Sequence, residues 1–201
     1  LSEAGTYFEY ASPTLARTQL KLLNEALQSF KAAGDLALQA ETLTALGQTN
    51  FNLGRPGEGI AAHERAVELW NLARKPLRKA HASRWLAAAY AASNRAAKAK
   101  EILLDVQKFA HESSHPWLEA AALLGLSAQP VREGRKDEAT ALFERALQLN
   151  LAIQDRKGEA ETQNYFAIFL QNQGLLEEAS VRCRRALDLR EQIDDQIGAT
   201  Q

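Results

Sequence analysis

A pattern of side chains recurs at one fixed interval through almost the whole chain, and few folds tolerate that. Ala26, Ala66, Val106, Ala146 and Ala186 stand 40 apart, most of them inside segments such as HERAVEL, FERALQL and CRRALDL. Ala40, Ala80, Ala120 and Ala160 hold the same spacing, as do Gly59, Ala99, Ala139 and Ala179. Leu46, Leu86, Leu126 and Phe166 follow suit, each beside a small residue: Gly47, Ala87, Ser127, Ala167. Small residues at fixed places let two helices approach closely, and large apolar ones fill the gaps beside them. A period of roughly 20–50 residues marks stacked units, none of which buries its apolar face alone.

The stretch from Arg135 to Gly174 shows what one unit is. Ala139, Leu142, Phe143, Ala146, Leu147 and Leu149 to Ile153 fall at three- and four-residue spacings, which puts them on one face of a helix. No Pro or Gly interrupts Lys136 to Gln154, and Asp155-Arg156-Lys157-Gly158 breaks the pattern. A second helix carries Ala160, Tyr165, Phe166, Phe169 and Leu170, and Gly174 ends it. A link this short forces the two helices to lie antiparallel.

The same reading along the chain predicts helices over about 13–33, 36–53, 56–73, 77–93, 95–112, 117–132, 136–154, 157–173 and 175–193. Gly34, Gly54, Asn94, Gly134 and Gly174 mark turns. Ser12-Pro13 is a helix start, with Ser as cap and Pro in the first position. Tyr7, Phe8 and Tyr10 are expected to pack on the next unit. Pro130 falls inside a helix and is expected to kink or shorten it. Asp194-Asp195 reads as a turn. The expected organisation is a single domain over 1–201: a partial repeat 1–34, repeats 35–74, 75–114, 115–154 and 155–194, and the start of a further repeat at 195–201. Because the chain opens and closes mid-pattern, it reads as a fragment of a longer protein.

Composition narrows the chemistry. Lys+Arg 24 against Asp+Glu 25 leaves the whole chain near neutral. Locally it is uneven. Residues 71–111 carry nine Lys/Arg and two acids, a local +7, and the rest sums to −8. Such a segment is either a solvated edge or a surface for an acidic partner or phosphate backbone. No aromatic interleaving supports single-strand binding, so nucleic acid is not an expected partner. One Cys excludes an internal disulfide and suits a reducing, cytoplasmic compartment. Cys183 shares a register slot with His63, Leu103 and Phe143, which predicts a buried thiol. No apolar run approaches the ~20 residues that span a bilayer, and no membrane partner is expected.

Catalytic constellations are lacking. Gly54-Arg55-Pro56-Gly57-Glu58-Gly59 is glycine-rich but belongs to a hairpin turn and lacks the Lys-Ser/Thr of a phosphate loop. His111 and His115 are four apart, yet Ser113-Ser114 and Pro116 put them across a turn, with no acidic or thiol ligand evident nearby. His63-Glu64 lacks the second His of a zinc protease motif. Glu177-Glu178 suits a helix start and its dipole. These residues argue against an enzyme and for no cofactor or metal.

The segments GDLALQAETLTALGQTNFNLGRPGEGIAAHERAVEL and GLLEEASVRCRRALDL resemble tetratricopeptide repeats, in a long-helix variant of about 40 residues per repeat. The repeats are similar to those of Pins-type spindle adaptors, kinesin light chains, bacterial regulators and caspase-like repeat proteins, over about residues 13–195. The resemblance implies an all-α fold, a right-handed α-solenoid of antiparallel helix pairs. It further implies a concave face lined by the first helix of each hairpin. In register, that face takes Thr44, Gln48, Phe51 and Asn52, then His81, Arg84, Trp85 and Ala88. Ala121, Leu124, Ala128 and Arg132 follow, then Glu161, Asn164, Tyr165, Ile168 and Asn172. Amides can hold a peptide backbone through paired hydrogen bonds, and Trp85 and Tyr165 can serve as flat anchors or pack between repeats. The family's carboxylate clamp is not expected, because Thr44 and Gln48 stand where its first Lys and Asn belong. The expected function is a scaffold that binds a linear peptide or partner helix in this groove. The alternative is a sensory or regulatory arm of a larger bacterial signalling protein (a transcription regulator, cyclase or caspase-like protease), coupled to an output domain or acting by self-association. A second copy of the chain is thus also a candidate partner.

Overall fold

The structure is a computed structural model that describes residues 13–198, with side chains from 14 to 194. The aromatic cluster Tyr7, Phe8 and Tyr10 and the Ser12 cap lie outside the described residues. Nine helices and no strand are described: α1 (Pro13–Ala32), α2 (Leu36–Asn52), α3 (Pro56–Leu72), α4 (Pro76–Ala92), α5 (Ala96–Glu112), α6 (Pro116–Arg132), α7 (Lys136–Ala152), α8 (Arg156–Asn172) and α9 (Leu176–Gly198). From α2 to α8 each helix has 17 residues. The same short link, three residues long, joins each helix to the next.

One turn geometry accounts for that regularity. The residue two beyond each helix from α1 to α8 has positive φ: Gly34, Gly54, Gly134 and Gly174, but also Arg74, Asn94, Ser114 and Gln154. At Gly54 the N–H of Arg55 reaches back to the Asn50 carbonyl at 2.9 Å, and the N–H of Gly54 to the Phe51 carbonyl at 2.9 Å. That pair of bonds closes a Schellman cap and satisfies carbonyls the helix leaves open. The same two bonds recur at every turn; at Gln154 they run from Asp155 to Asn150 at 2.9 Å and from Gln154 to Leu151 at 3.2 Å. One sequence period is therefore two nearly identical helix–turn units in space, each half a period long. At five of the eight turns the next helix starts on a capping Asp or a Pro. Asp35 accepts from the Leu38 N–H and Asp155 from the Gly158 N–H, each at 2.9 Å. Pro56, Pro76 and Pro116 each open their helix, where a missing N–H costs little. A side chain at positive φ is strained where Gly is not. Gln154→Gly is thus expected to raise the unfolding free energy by about 0.5–1 kcal/mol in urea titrations, with the helix content unchanged.

The chain divides between Leu103 and Leu104, inside α5, into two compact units. In the first, α2 packs on α1 and α3, α3 packs on α4, and α2 also touches α4, whereas α1 and α3 do not touch among the described residues. Its core gathers Leu27, Ala40, Leu43, Leu46, Ala66, Leu69, Trp70 and Ala82. In the second, α6, α7, α8 and α9 pack consecutively and α6 touches α8, whereas α7 and α9 do not touch among the described residues. Its core holds Ala139, Phe143, Leu147, Phe166, Phe169, Leu170 and Ala179, beside a smaller cluster of Ala120, Leu123 and Ala146. The small-residue series behaves as its spacing predicts: Ala40, Ala66, Ala139, Ala146 and Ala160 are all buried.

Three expectations are corrected. Pro130 does not shorten α6, which has the same 17 residues as its neighbours. It is the third residue from the helix end, so it removes one N–H while its carbonyl still closes the Schellman cap to Arg135 at 2.9 Å. Cys183 is exposed, not buried. His63, Leu103 and Phe143 in the same slot are buried, and Phe143 stacks on the following helix, α8. Among the described residues only α8 packs on α9, so the slot at Cys183 stays open. Asp194 and Asp195 form no turn, because α9 runs through them to Gly198.

Candidate functional site

In each unit the first helices of successive hairpins touch, which makes them one continuous face: α2 with α4, and α6 with α8. On the α2/α4 face Thr44, Gln48, Arg84 and Trp85 are half-buried. The Thr44 hydroxyl donates to the Ala40 carbonyl at 3.0 Å, so its hydrogen is already used within the helix. The Arg84 guanidinium lies 4.5 Å from the centre of the Trp85 ring, and His81 meets that ring edge-on at 6.4 Å. Burial pushes the His81 pKa down, with Arg84 and then Arg78 adding to it, so the imidazole is neutral near pH 7. A planar ring between a guanidinium and an imidazole offers apolar area with polar rims. Phe51 departs from this set. Its ring stacks by His63 at 6.4 Å and fills the space left by Gly59, where a Cβ would stand 2.5 Å from it. Phe51 thus faces α3, and its register position alone did not reveal this.

The α6/α8 face has a different chemistry. Asn164, Ile168 and Asn172 recur every four residues and make one stripe along α8, with Tyr165 beside it. Tyr165, Ile168 and Asn172 are exposed. Asn164 is half-buried, and its Nδ2 is fully shielded yet has no hydrogen-bond partner. On α6 the face carries the half-buried Ala121 and Leu124, the exposed Ala128, and Arg132 at the end of the helix. Two alanines and a leucine on α6 thus share the face with the α8 stripe, whose amides Asn164 and Asn172 are two helical turns apart.

Other charged groups work as clamps between helices, and the sequence reading missed them. Glu119 and Glu159 are buried. Glu159 pairs with Arg185 at 2.8 Å, joining α8 to α9. Glu119 sits 4.0 Å from Arg145 on α7 and 3.2 Å from Nδ1 of His111 on α5. The signal was present: both acids occupy one register position, and each has an Arg at the matching place in the following helix, Arg145 and Arg185. His111 is therefore not merely a turn residue, whereas His115 lies by the Phe109 ring at 6.3 Å. Among the described residues no group of three or more His, Cys, Asp or Glu could hold a metal, and no helix is long and apolar enough to cross a membrane.

Comparison with known proteins agrees with the fold. A family model described as tetratricopeptide repeat matches residues 160–193, which covers most of α8 and α9. Among solved structures, BtubC (BKLC) from P. vanneervenii is similar with a TM-score of 0.71 at 17% identity, covering 88% of this chain and 74% of that one. The putative kinesin light chain of Podosopora anserina, with nearly identical TPR-like repeats, gives 0.58 at 16% identity, over 94% and 100% of the two chains. MamA gives 0.53 at 20% identity, over 94% and 99%. No curated protein matches this sequence. Residues 160–193 are thus a match to the tetratricopeptide repeat, and the recurring helix–turn unit is a fold that the chain shares with these structures.

Proposed function

We propose that the chain is a protein-interaction scaffold whose α2/α4 and α6/α8 faces each bind a linear segment or a helix of a partner protein. The observation that carries this reading is the α8 stripe. Tyr165, Ile168 and Asn172 stay exposed and join no core cluster, and stacking of the helices gives Asn164 Nδ2 no partner. A shielded donor without an acceptor costs free energy of about 1–3 kcal/mol, and a peptide carbonyl is the acceptor that removes the cost. On the α2/α4 face, Trp85 between Arg84 and His81 supplies the rigid aromatic anchor that binding hot spots favour. Gln48 on α2, Asn164 and Asn172 on α8, and Arg132 on α6 supply hydrogen-bond partners around these anchors.

Partners captured by the full chain, then cut into overlapping peptides, test the reading. Trp85→Ala or Tyr165→Ala is expected to weaken binding of a selected peptide tenfold or more, with helix content unchanged. If both variants hold every captured partner as tightly as the parent, neither face is the binding surface.

A further inference from the structure

We infer that one end of the first unit, where α1, α2, α3 and α4 turn, is a docking edge for an anionic lipid bilayer surface. Antiparallel packing brings the end of α1, the start of α2, the end of α3 and the start of α4 together there. The Arg78 guanidinium on α4, 3.8 Å from Glu41 on α2 and 6.0 Å from the Trp70 ring of α3, ties three of those helices together at this edge.

Two independent features meet at this edge. The first is charge. From Arg74 to Lys100 the chain has eight Lys/Arg and no acid, and four of the eight (Arg74, Lys75, Arg78, Lys79) crowd together at the start of α4. The acids around them are already engaged: Asp35 caps α2, Glu41 faces Arg78, and Glu68 pairs with Arg65. Arg74, Lys75 and Lys79 are exposed and have no ion-pair partner among the described residues. Cations at a helix start also oppose the helix dipole, so the fold keeps this arrangement against its own electrostatics. The second feature is apolar exposure. Leu36, Leu38 and Leu72 are 36%, 38% and 56% exposed on the same edge. The opposite end of the unit has Leu15 as its one exposed large apolar residue among those described.

Leucines among unpaired cations fit a surface that is itself apolar below and anionic above. Duplex nucleic acid has no place for the leucines, and an acidic peptide needs the cations alone. Burying apolar side chains at the headgroup boundary while drawing lysine and arginine to anionic lipid is the physics of peripheral membrane binding. Docking of this kind needs no spanning segment, so the absence of a long apolar run in the sequence does not bear on it.

Flotation of the full chain with vesicles tests the inference. Vesicles of one part phosphatidylserine to two parts phosphatidylcholine are expected to carry the protein, and pure phosphatidylcholine vesicles are not. Raising the salt from about 0.1 M to about 0.5 M is expected to release it. Each cation near the surface is worth about fivefold in binding, so the triple variant Arg74→Glu, Lys75→Glu, Lys79→Glu is expected to bind roughly a hundredfold more weakly or worse. Leu36→Ser with Leu72→Ser should weaken it as well. Reversing Arg55, Lys98 and Lys100 at the opposite end, about 25 Å away along the length of a helix, should leave most of the binding in place. Equal flotation with and without phosphatidylserine overturns the inference. So does unchanged binding by the triple variant with its helix content intact, or retention on duplex DNA or polyglutamate through these cations without vesicle binding.

Discussion

Phe166→Ala is expected to lower the unfolding free energy by about 3–5 kcal/mol, the usual cost of emptying an aromatic site in a closed core. Phe166 is 2% exposed, stacks on Phe143 at 4.9 Å and 12°, and lies 6.2 Å from Phe169. The Arg182 guanidinium covers the ring at 3.8 Å, and burial pushes the arginine pKa down against the opposing pull of Glu144 and Glu178. Removing the ring therefore opens a cavity and strips a partly buried cation of its platform. Phe166→Leu should cost much less, about 1 kcal/mol, because Leu46, Leu86 and Leu126 fill the same register position elsewhere. In a stacked array each unit touches only its neighbours. Hydrogen exchange should consequently speed up in α7, α8 and α9 and remain slow in α2 and α3. Uniform loss of protection along the chain would contradict that picture.

Acid should destabilise the chain through a single buried imidazole. His63 is 2% exposed, its Nδ1 has no partner, and burial pushes its pKa from 6.5 down to about 4. Gly47 makes room for the ring: a Cβ there would stand 2.5 Å from it. Phe51 stacks on its other side. Burial against these groups disfavours the charged imidazolium. The sign follows directly. The folded state keeps His63 neutral while the unfolded chain takes up a proton below pH 6.5, so the unfolded state binds more protons in that window. The stabilising effect is full above pH 6.5 and is lost as the pH falls from 6.5 to about 4, amounting to about 3 kcal/mol. His63→Leu places the residue of the equivalent position 103 there. Its stability should fall less between pH 6.5 and about 4 than that of the parent, and it should be the more stable protein at the acid end of that window. Parallel pH profiles for the two proteins would show that the imidazole is not the source.

Much of the fold was legible because stacking imposes the same steric demand once in every repeat. The small series at Ala40, Ala66 and Ala139 could be read as close approach, and all three are buried. Helix boundaries were legible to within a residue or two wherever Pro or Gly marked them. They fell within the same margin at Arg74 and Gln154, which adopt the left-handed conformation without the glycine that would announce it. Here the Schellman hydrogen bonds and the packing of both flanking helices outweigh the local preference. Cys183 misled because its slot is buried only when another helix lies over it. Phe51 misled for a related reason. Register gives the direction of a Cβ, whereas the vacancy above Gly59 drew the ring towards α3. Asn164, Ile168 and Asn172 share a face by spacing alone, and Tyr165 stands beside them. The clamps at Glu119 and Glu159 went unread because an acid at a helix start suits the dipole by itself, and only its register pairing with Arg145 or Arg185 marks it as a clamp.

The most direct measurement is the affinity of one selected partner peptide for four proteins: the parent, Trp85→Ala, Tyr165→Ala and an outer-surface control, Leu151→Ser. Leu151 is 54% exposed on α7, a helix that carries neither face. If the α2/α4 and α6/α8 faces bind partners, one or both of the aromatic variants lose at least tenfold in affinity while Leu151→Ser stays within twofold of the parent. Full affinity in both aromatic variants, or a larger loss in Leu151→Ser, contradicts the account.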